Sequence, residues 1–77
     1  MNQGMPLAMA APGELVTVIE IRAGGGLQRR LADMGLTPGV KIKMLNSHMP
    51  GPVLIDLRGS KVALGRGIAH KIAVKKG

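Results

Sequence analysis

The sequence of 77 residues contains no cysteine, no phenylalanine, tyrosine or tryptophan, and only four acidic residues. Without cysteine, the chain forms no disulfide, no thiolate metal site and no cysteine nucleophile. Without aromatic residues, the core must be built from Val, Ile, Leu, Met and Ala, and bases of single-stranded nucleic acid find no stacking platform. No apolar run approaches the ~20 residues of a membrane-spanning helix, so no direct membrane insertion is expected.

Basic residues outnumber acidic ones by eleven to four, which gives a net charge of +7. This excess favours an acidic partner surface, whether nucleic acid, anionic lipid or an acidic protein face. However, no run of basic residues exceeds two, and most of them alternate with apolar residues. A solvated basic face on the outer side of strands is therefore the simpler interpretation of most of this charge.

Segments that alternate between apolar and polar residues predict a mainly β fold of about five short strands. The first strand, residues 14–21, is apolar on both faces, which indicates a bulge near Ile19 or cover on both sides. Gly65 to His70 is too short to predict more than one 3₁₀ turn. Short strands with one apolar face each are typical of a small barrel, SH3-like as first choice and OB-like as second.

One short helix is predicted after the first strand, over residues 27–34. Leu27, Leu31 and Met34 are spaced as one helical stripe, and Gly35 follows where a left-handed C-cap residue belongs. The helix must be held by packing this stripe on the sheet, because two turns are marginal alone. The opposite face of the helix carries polar residues that are expected to point outward: Gln28, Arg29, Arg30 and Asp33.

Residues 1–13 are predicted to form an N-terminal tail, because Pro6, Pro12 and Gly13 interrupt regular structure. The folded domain is then expected to cover residues 14–77. The N-terminal segment has no basic region typical of a signal peptide, so a cytoplasmic protein is the expectation.

Side chains that could carry chemistry are scattered along the sequence. No spacing typical of a metal site or of a catalytic pair links them: Glu14, Glu20, Asp33, His48, Asp56 and His70. Three glycines precede the helix, but Leu27 and Gln28 follow them where a phosphate-binding loop requires Lys and Ser or Thr. We therefore expect no catalytic residue, no metal site and no cofactor.

The stretch RRLADMGLTPGVKIKML, Arg29 to Leu45, resembles the signature of the FeoA family: a helix, a glycine-containing turn and a basic alternating strand. The similarity continues through GPVLIDLRGSKVALGRGIAHKIAV, Gly51 to Val74, and upstream through MPLAMAAPGELVTVIEIRAGGGL. It covers nearly the whole chain from Met5, and the order and spacing of these segments make it fairly specific.

The resemblance implies an SH3-like barrel with a helical insertion and a non-catalytic accessory role in ferrous iron uptake. The implied partner is the membrane transporter FeoB, reached through its cytoplasmic region including the GTP-binding domain. The protein would then be cytoplasmic and would meet the inner membrane through that partner. The same barrel also occurs as a terminal domain of iron-dependent repressors, where it binds protein. A basic nucleic-acid-binding barrel is the less favoured alternative, and self-association is left open.

A docking surface for the partner is predicted on the helix and the turn that follows it. Its candidate residues are Arg29, Arg30, Asp33 and Leu36. Arginine is enriched among the residues that dominate binding energy at interfaces. The alternative is that the two arginines are only solvated and that Leu36 belongs to the core.

Overall fold

The computed structural model describes residues 4–48 and 50–77, which form one antiparallel sheet with helical connections. The strands are β1 (Met5–Pro6), β2 (Leu15–Ile21), β3 (Lys41–Asn46), β4 (Val53–Leu57), β5 (Ser60–Leu64) and β6 (Ile72–Lys76). The helices are α1 (Gly25–Asp33), α2 (Arg66–His70) and a 3₁₀ helix (Leu7–Met9). The strand order in the sheet is β1-β6-β2-β3-β4-β5. The mainly β, SH3-like prediction is confirmed, with six strands among the described residues instead of about five.

The core is aliphatic and follows the alternation of the strands. In β3, Ile42 and Met44 are buried, while Lys41 before them and Lys43 between them are exposed. Strands β2 and β4 also bury alternate residues, namely Val16 and Val18 in β2 and Val53, Ile55 and Leu57 in β4, whereas β6 buries Ile72, Ala73 and Val74 in succession. Each fully buried side chain of this size stabilises the fold by about 1.5–3 kcal/mol relative to an exposed one.

The apolar residues on both faces of β2 are explained by a bulge. The pairing of β2 with β6 changes register between Val18 and Glu20, which leaves Ile19 as the extra residue. A bulge inserts one unpaired residue and reverses the alternation beyond it. The predicted bulge near Ile19 is therefore confirmed.

The predicted N-terminal tail is wrong for the residues that the structure describes from Met5 onward. Met5 and Pro6 pair with Val74 and Ala73 of β6, and Leu7 is completely buried. Pro6 does not interrupt the fold, because β1 is an edge strand and an edge strand tolerates a residue without an N–H. Residues 1–3 of the predicted tail lie outside the described residues. The folded domain therefore begins before residue 14.

The segment Arg66–His70 forms a short α-helix, so the prediction of a single 3₁₀ turn is wrong. The N–H of Ala69 donates to the carbonyl oxygen of Gly65 at 3.0 Å, which is an α-helical hydrogen bond. Ala69 is completely buried, and α2 packs on the 3₁₀ helix. Arg66 holds the loop after β3, because its Nη2 donates to the carbonyl oxygens of Ser47 and His48 at 2.8 and 2.9 Å.

The turn between β4 and β5 has Arg58 in a conformation that L-residues avoid. Leu57 pairs with Ser60, so Arg58 and Gly59 occupy the two central positions, with φ of 54° and 89°. Asp56 supports this turn, since its Oδ1 accepts a hydrogen bond from the Gly59 N–H at 2.8 Å.

We expect Arg58→Asn to stabilise the protein by about 1 kcal/mol, because asparagine visits positive φ more readily than arginine in this type of turn. In a domain of this size the thermal midpoint should rise by roughly 4–8 °C. Arg58→Lys is the matched control, since lysine keeps the charge and the unfavourable φ. An Arg58→Asn midpoint no higher than that of Arg58→Lys would contradict the prediction.

Candidate docking surface

Helix α1 is attached to the end of β2 through one side chain. The Nε2 of Gln28 donates to the carbonyl oxygens of Ile21 and Ala23 at 3.1 and 2.8 Å. Gly24 at the N-cap is extended and supplies no side-chain cap. Gln28 thus orients the first turn of α1, which contains Gly25 and Gly26, while Gly24 forms the extended N-cap between strand and helix.

The helix ends at a left-handed glycine, as predicted. Gly35 has φ +97°, and the N–H of Leu36 donates back to the carbonyl oxygen of Leu31 at 2.9 Å. This arrangement satisfies a free carbonyl group at the helix end and reverses the chain toward the sheet. It also carries the Leu36 side chain inward.

Leu36 has no exposed surface and belongs to the core. Its inclusion in the predicted docking surface is therefore wrong, because a side chain without exposed surface cannot contact a partner directly. The apolar residue that the structure does expose here is Met34, at 43%. The helical stripe had placed Met34 inward, but Met34 is the C-cap residue, where the helix already stops.

Arg29, Arg30 and Asp33 are exposed, as predicted from the helical period. Their side chains take part in no hydrogen bond or ion pair within the described chain. By contrast, Arg22 pairs with Glu20 at 2.8 Å. We call Arg29, Arg30, Asp33 and Met34 the helix patch: two free guanidinium groups, one carboxylate and one exposed thioether.

A second charged surface lies on the outer face of the sheet. Thr17 of β2 pairs with Lys41 on one side and Lys75 on the other, which places these lysines on the same face. In the next row, Asp56 of β4 lies between Lys43 and Lys61. We call Lys41, Lys43, Lys61 and Lys75 the lysine face. The sequence predicted a basic outer face, but the register that groups these four side chains requires the pairing of strands.

The two surfaces carry different basic residues. Every basic residue within the six described strands is a lysine, whereas the basic side chains of α1 are arginines. Arginine binds carboxylates through a planar fork, while lysine is a compact, strongly hydrated point charge. The helix patch is therefore suited to specific contacts and the lysine face to diffuse attraction.

Residues 4–48 and 50–77 offer no other evident site. They contain no cavity and bring no three His, Asp or Glu side chains together. His48 and His70 are both exposed, and Met49, which follows His48, lies outside the described residues.

Comparison with known proteins agrees with this architecture. The model of the FeoA domain matches residues 5–76. The chain belongs to the FeoA family. This FeoA-family chain is 47% identical over 70 residues to Fe(2+) transport protein A of Methanocaldococcus jannaschii, an alignment that covers 91% of the chain and 84% of the relative. The predicted family resemblance is confirmed, and the match includes residues 5–13 of the segment predicted as a tail.

Solved structures support the same fold. A FeoA crystal structure, described as an iron uptake regulatory protein, superposes with a TM-score of 0.86 at 36% identity and covers 99% of this chain and 100% of its own. A manganese-dependent transcriptional repressor superposes with a TM-score of 0.88 at 22% identity, over 100% of this chain and 44% of the repressor. At that identity the second match shows a shared fold and carries no function.

No helix in the described part of this FeoA-family chain is long and apolar enough to cross a membrane. The longest, α1, has nine residues and its exposed side carries charged groups.

Proposed function

We propose that this FeoA-family protein is a non-catalytic, cytoplasmic accessory protein of ferrous iron uptake that binds and modulates the membrane transporter FeoB. The match to the FeoA domain over residues 5–76 is the observation that carries this proposal. The relative described as an Fe(2+) transport protein supports it. A role by binding also accords with a described surface that has charged patches and no cavity.

The helix patch is the part of the protein that we assign to this contact. Arg29 and Arg30 have no ion-pair partner among residues 4–48 and 50–77, so binding a carboxylate on the transporter breaks no ion pair seen there. Met34 adds exposed apolar surface beside them. Arginine with adjoining apolar area is the composition found at the centre of interfaces, where charge and shape are both recognised.

Reversal of both charges, Arg29→Glu with Arg30→Glu, should weaken binding to the cytoplasmic GTP-binding domain of FeoB by at least about 30-fold, since truncation of one interface arginine commonly costs 1–2 kcal/mol or more. The thermal midpoint should stay nearly unchanged, because both side chains are exposed and form no hydrogen bond or ion pair with the described residues. Isothermal titration of the purified domain measures the loss. Lys41→Glu with Lys43→Glu changes the net charge equally on the other surface and is the control.

Amide NMR spectra of labelled protein, recorded while the GTP-binding domain is added at physiological salt, test the proposal itself. Shifts confined to α1 and the turn after it would support it. Duplex and single-stranded DNA are added in parallel, because a net charge of +7 attracts phosphates. Shifts with DNA alone, weakening steeply as salt rises, would replace this proposal by nucleic-acid binding.

Modulation requires that the protein bind two states of the transporter with different affinities. We therefore expect the nucleotide-free and GTP-loaded forms of the domain to bind with different dissociation constants. Equal affinities would eliminate a nucleotide-coupled mechanism and leave simple tethering.

A further inference from the structure

The lysine face lies outside the helix patch that we assign to the contact with FeoB. Lys41, Lys43, Lys61 and Lys75 are all exposed, and four pairings among five strands put them in two adjacent rows. Neighbouring strands lie about 4.8 Å apart, so two lysines that flank one strand have backbones roughly 10 Å apart. Two pairs of ammonium groups thus lie on the outer face of the sheet, Lys41 and Lys75 in one row and Lys43 and Lys61 in the next.

The negative charge on this face is small. Asp56 is its single carboxylate among the paired positions named above, and its Oδ1 already accepts the hydrogen bond from Gly59. None of the four lysines forms an ion pair with another described residue. Leu15, paired with Lys43, is 57% exposed and adds an apolar side chain at the end of one row.

We propose that the lysine face binds the surface of a bilayer that contains anionic phospholipid. A bilayer supplies many negative headgroups in a deformable layer, so it requires neither a cavity nor a shape-matched partner. Lysines near such a surface are attracted additively, and Leu15 can enter the boundary between headgroups and acyl chains.

An acidic protein fits this face less well than a bilayer. Protein interfaces are depleted in lysine and enriched in aromatic residues and arginine, and the basic residues of this face are all lysines. Single-stranded nucleic acid would find charge but no aromatic side chain for stacking. The inference does not depend on the proposed contact with FeoB, because it concerns a different surface and a different ligand.

Co-sedimentation with vesicles of phosphatidylcholine alone, or with about one-third phosphatidylglycerol, tests the proposal. A lysine near an anionic leaflet contributes about fivefold to partitioning. With four such lysines, wild type should therefore bind the anionic vesicles at least about a hundredfold more strongly than the neutral ones. Raising the salt from about 0.05 M to 0.5 M should remove most of this difference, since it shortens the screening length severalfold.

Lys41→Gln with Lys43→Gln should lower partitioning to the anionic vesicles by on the order of 20-fold. Arg29→Gln with Arg30→Gln removes the same charge from the helix patch and should change it less than about threefold. Circular dichroism confirms that both double variants keep the fold of wild type.

Three outcomes would overturn the proposal. Equal losses for the lysine and arginine pairs would mean attraction by net charge alone. If wild type did not bind anionic vesicles at low salt, a bilayer would be excluded as the ligand of the lysine face. Tighter binding to single-stranded DNA than to vesicles would assign the face to nucleic acid. The proposed contact with FeoB is tested separately, because the arginine double variant should lose binding to FeoB and the lysine double variant should retain it.

Discussion

Leu7→Ala is expected to destabilise the protein by about 2–5 kcal/mol, the range for truncation of a buried leucine. Leu7 has no exposed surface and belongs to the core cluster, although its sequence position suggests a tail. The stability of a domain of 77 residues is about 4–12 kcal/mol in total, so this single change removes a large fraction of it. The thermal midpoint should fall by roughly 10–30 °C.

Met9→Ala is the matched control, because Met9 lies in the same 3₁₀ helix and is 66% exposed. Its effect should stay within about 0.5 kcal/mol, as for most surface substitutions. Urea unfolding followed by circular dichroism measures both variants. If Leu7→Ala were as stable as Met9→Ala, the N-terminal segment would contribute nothing to the core, and the tail interpretation would stand.

The strands with regular alternation are predictable from sequence because burial imposes a period of two. In β3 and β4 the buried residues lie at the alternating apolar positions of the sequence, including Ile42, Met44 and Ile55. The bulge in β2 is visible too, since apolar residues shift from one face to the other at Ile19. The period of two in the apolar residues shows which side of a strand contacts the core.

Elements that are too short to show a period are not predictable in this way. Strand β1 has two residues, and its pairing depends on β6, nearly 70 residues later in the chain. Helix α2 has five residues, one of them Gly67, and would not form alone. It is held by tertiary packing of Ala69 and by the hydrogen bonds of Arg66.

The candidate docking surface is partly predictable for the same reason. The helical period correctly placed Arg29, Arg30 and Asp33 on the exposed side. It could not place Met34 and Leu36, because both lie at the helix end, where the left-handed Gly35 changes the direction of the chain. Whether a residue just beyond a helix faces inward depends on the angle at which the chain leaves it.

Leu36→Ala is expected to cost about 2–5 kcal/mol of stability while leaving the intrinsic affinity for the GTP-binding domain of FeoB unchanged. The Leu36 side chain is completely buried, so its truncation creates a cavity beneath α1 without removing any contact surface. The free energy of unfolding is measured by urea titration. The affinity is measured at a temperature where the variant remains folded, because an unfolded fraction would lower the apparent affinity.

Met34→Ala is the complementary variant, since Met34 is the exposed apolar member of the helix patch. It should change the free energy of unfolding by less than about 1 kcal/mol and weaken binding severalfold. The two variants thus separate a core residue from a contact residue two positions apart. A folded Leu36→Ala protein with reduced affinity, together with unchanged binding by Met34→Ala, would mean that the partner recognises the position of the helix and not its exposed side chains.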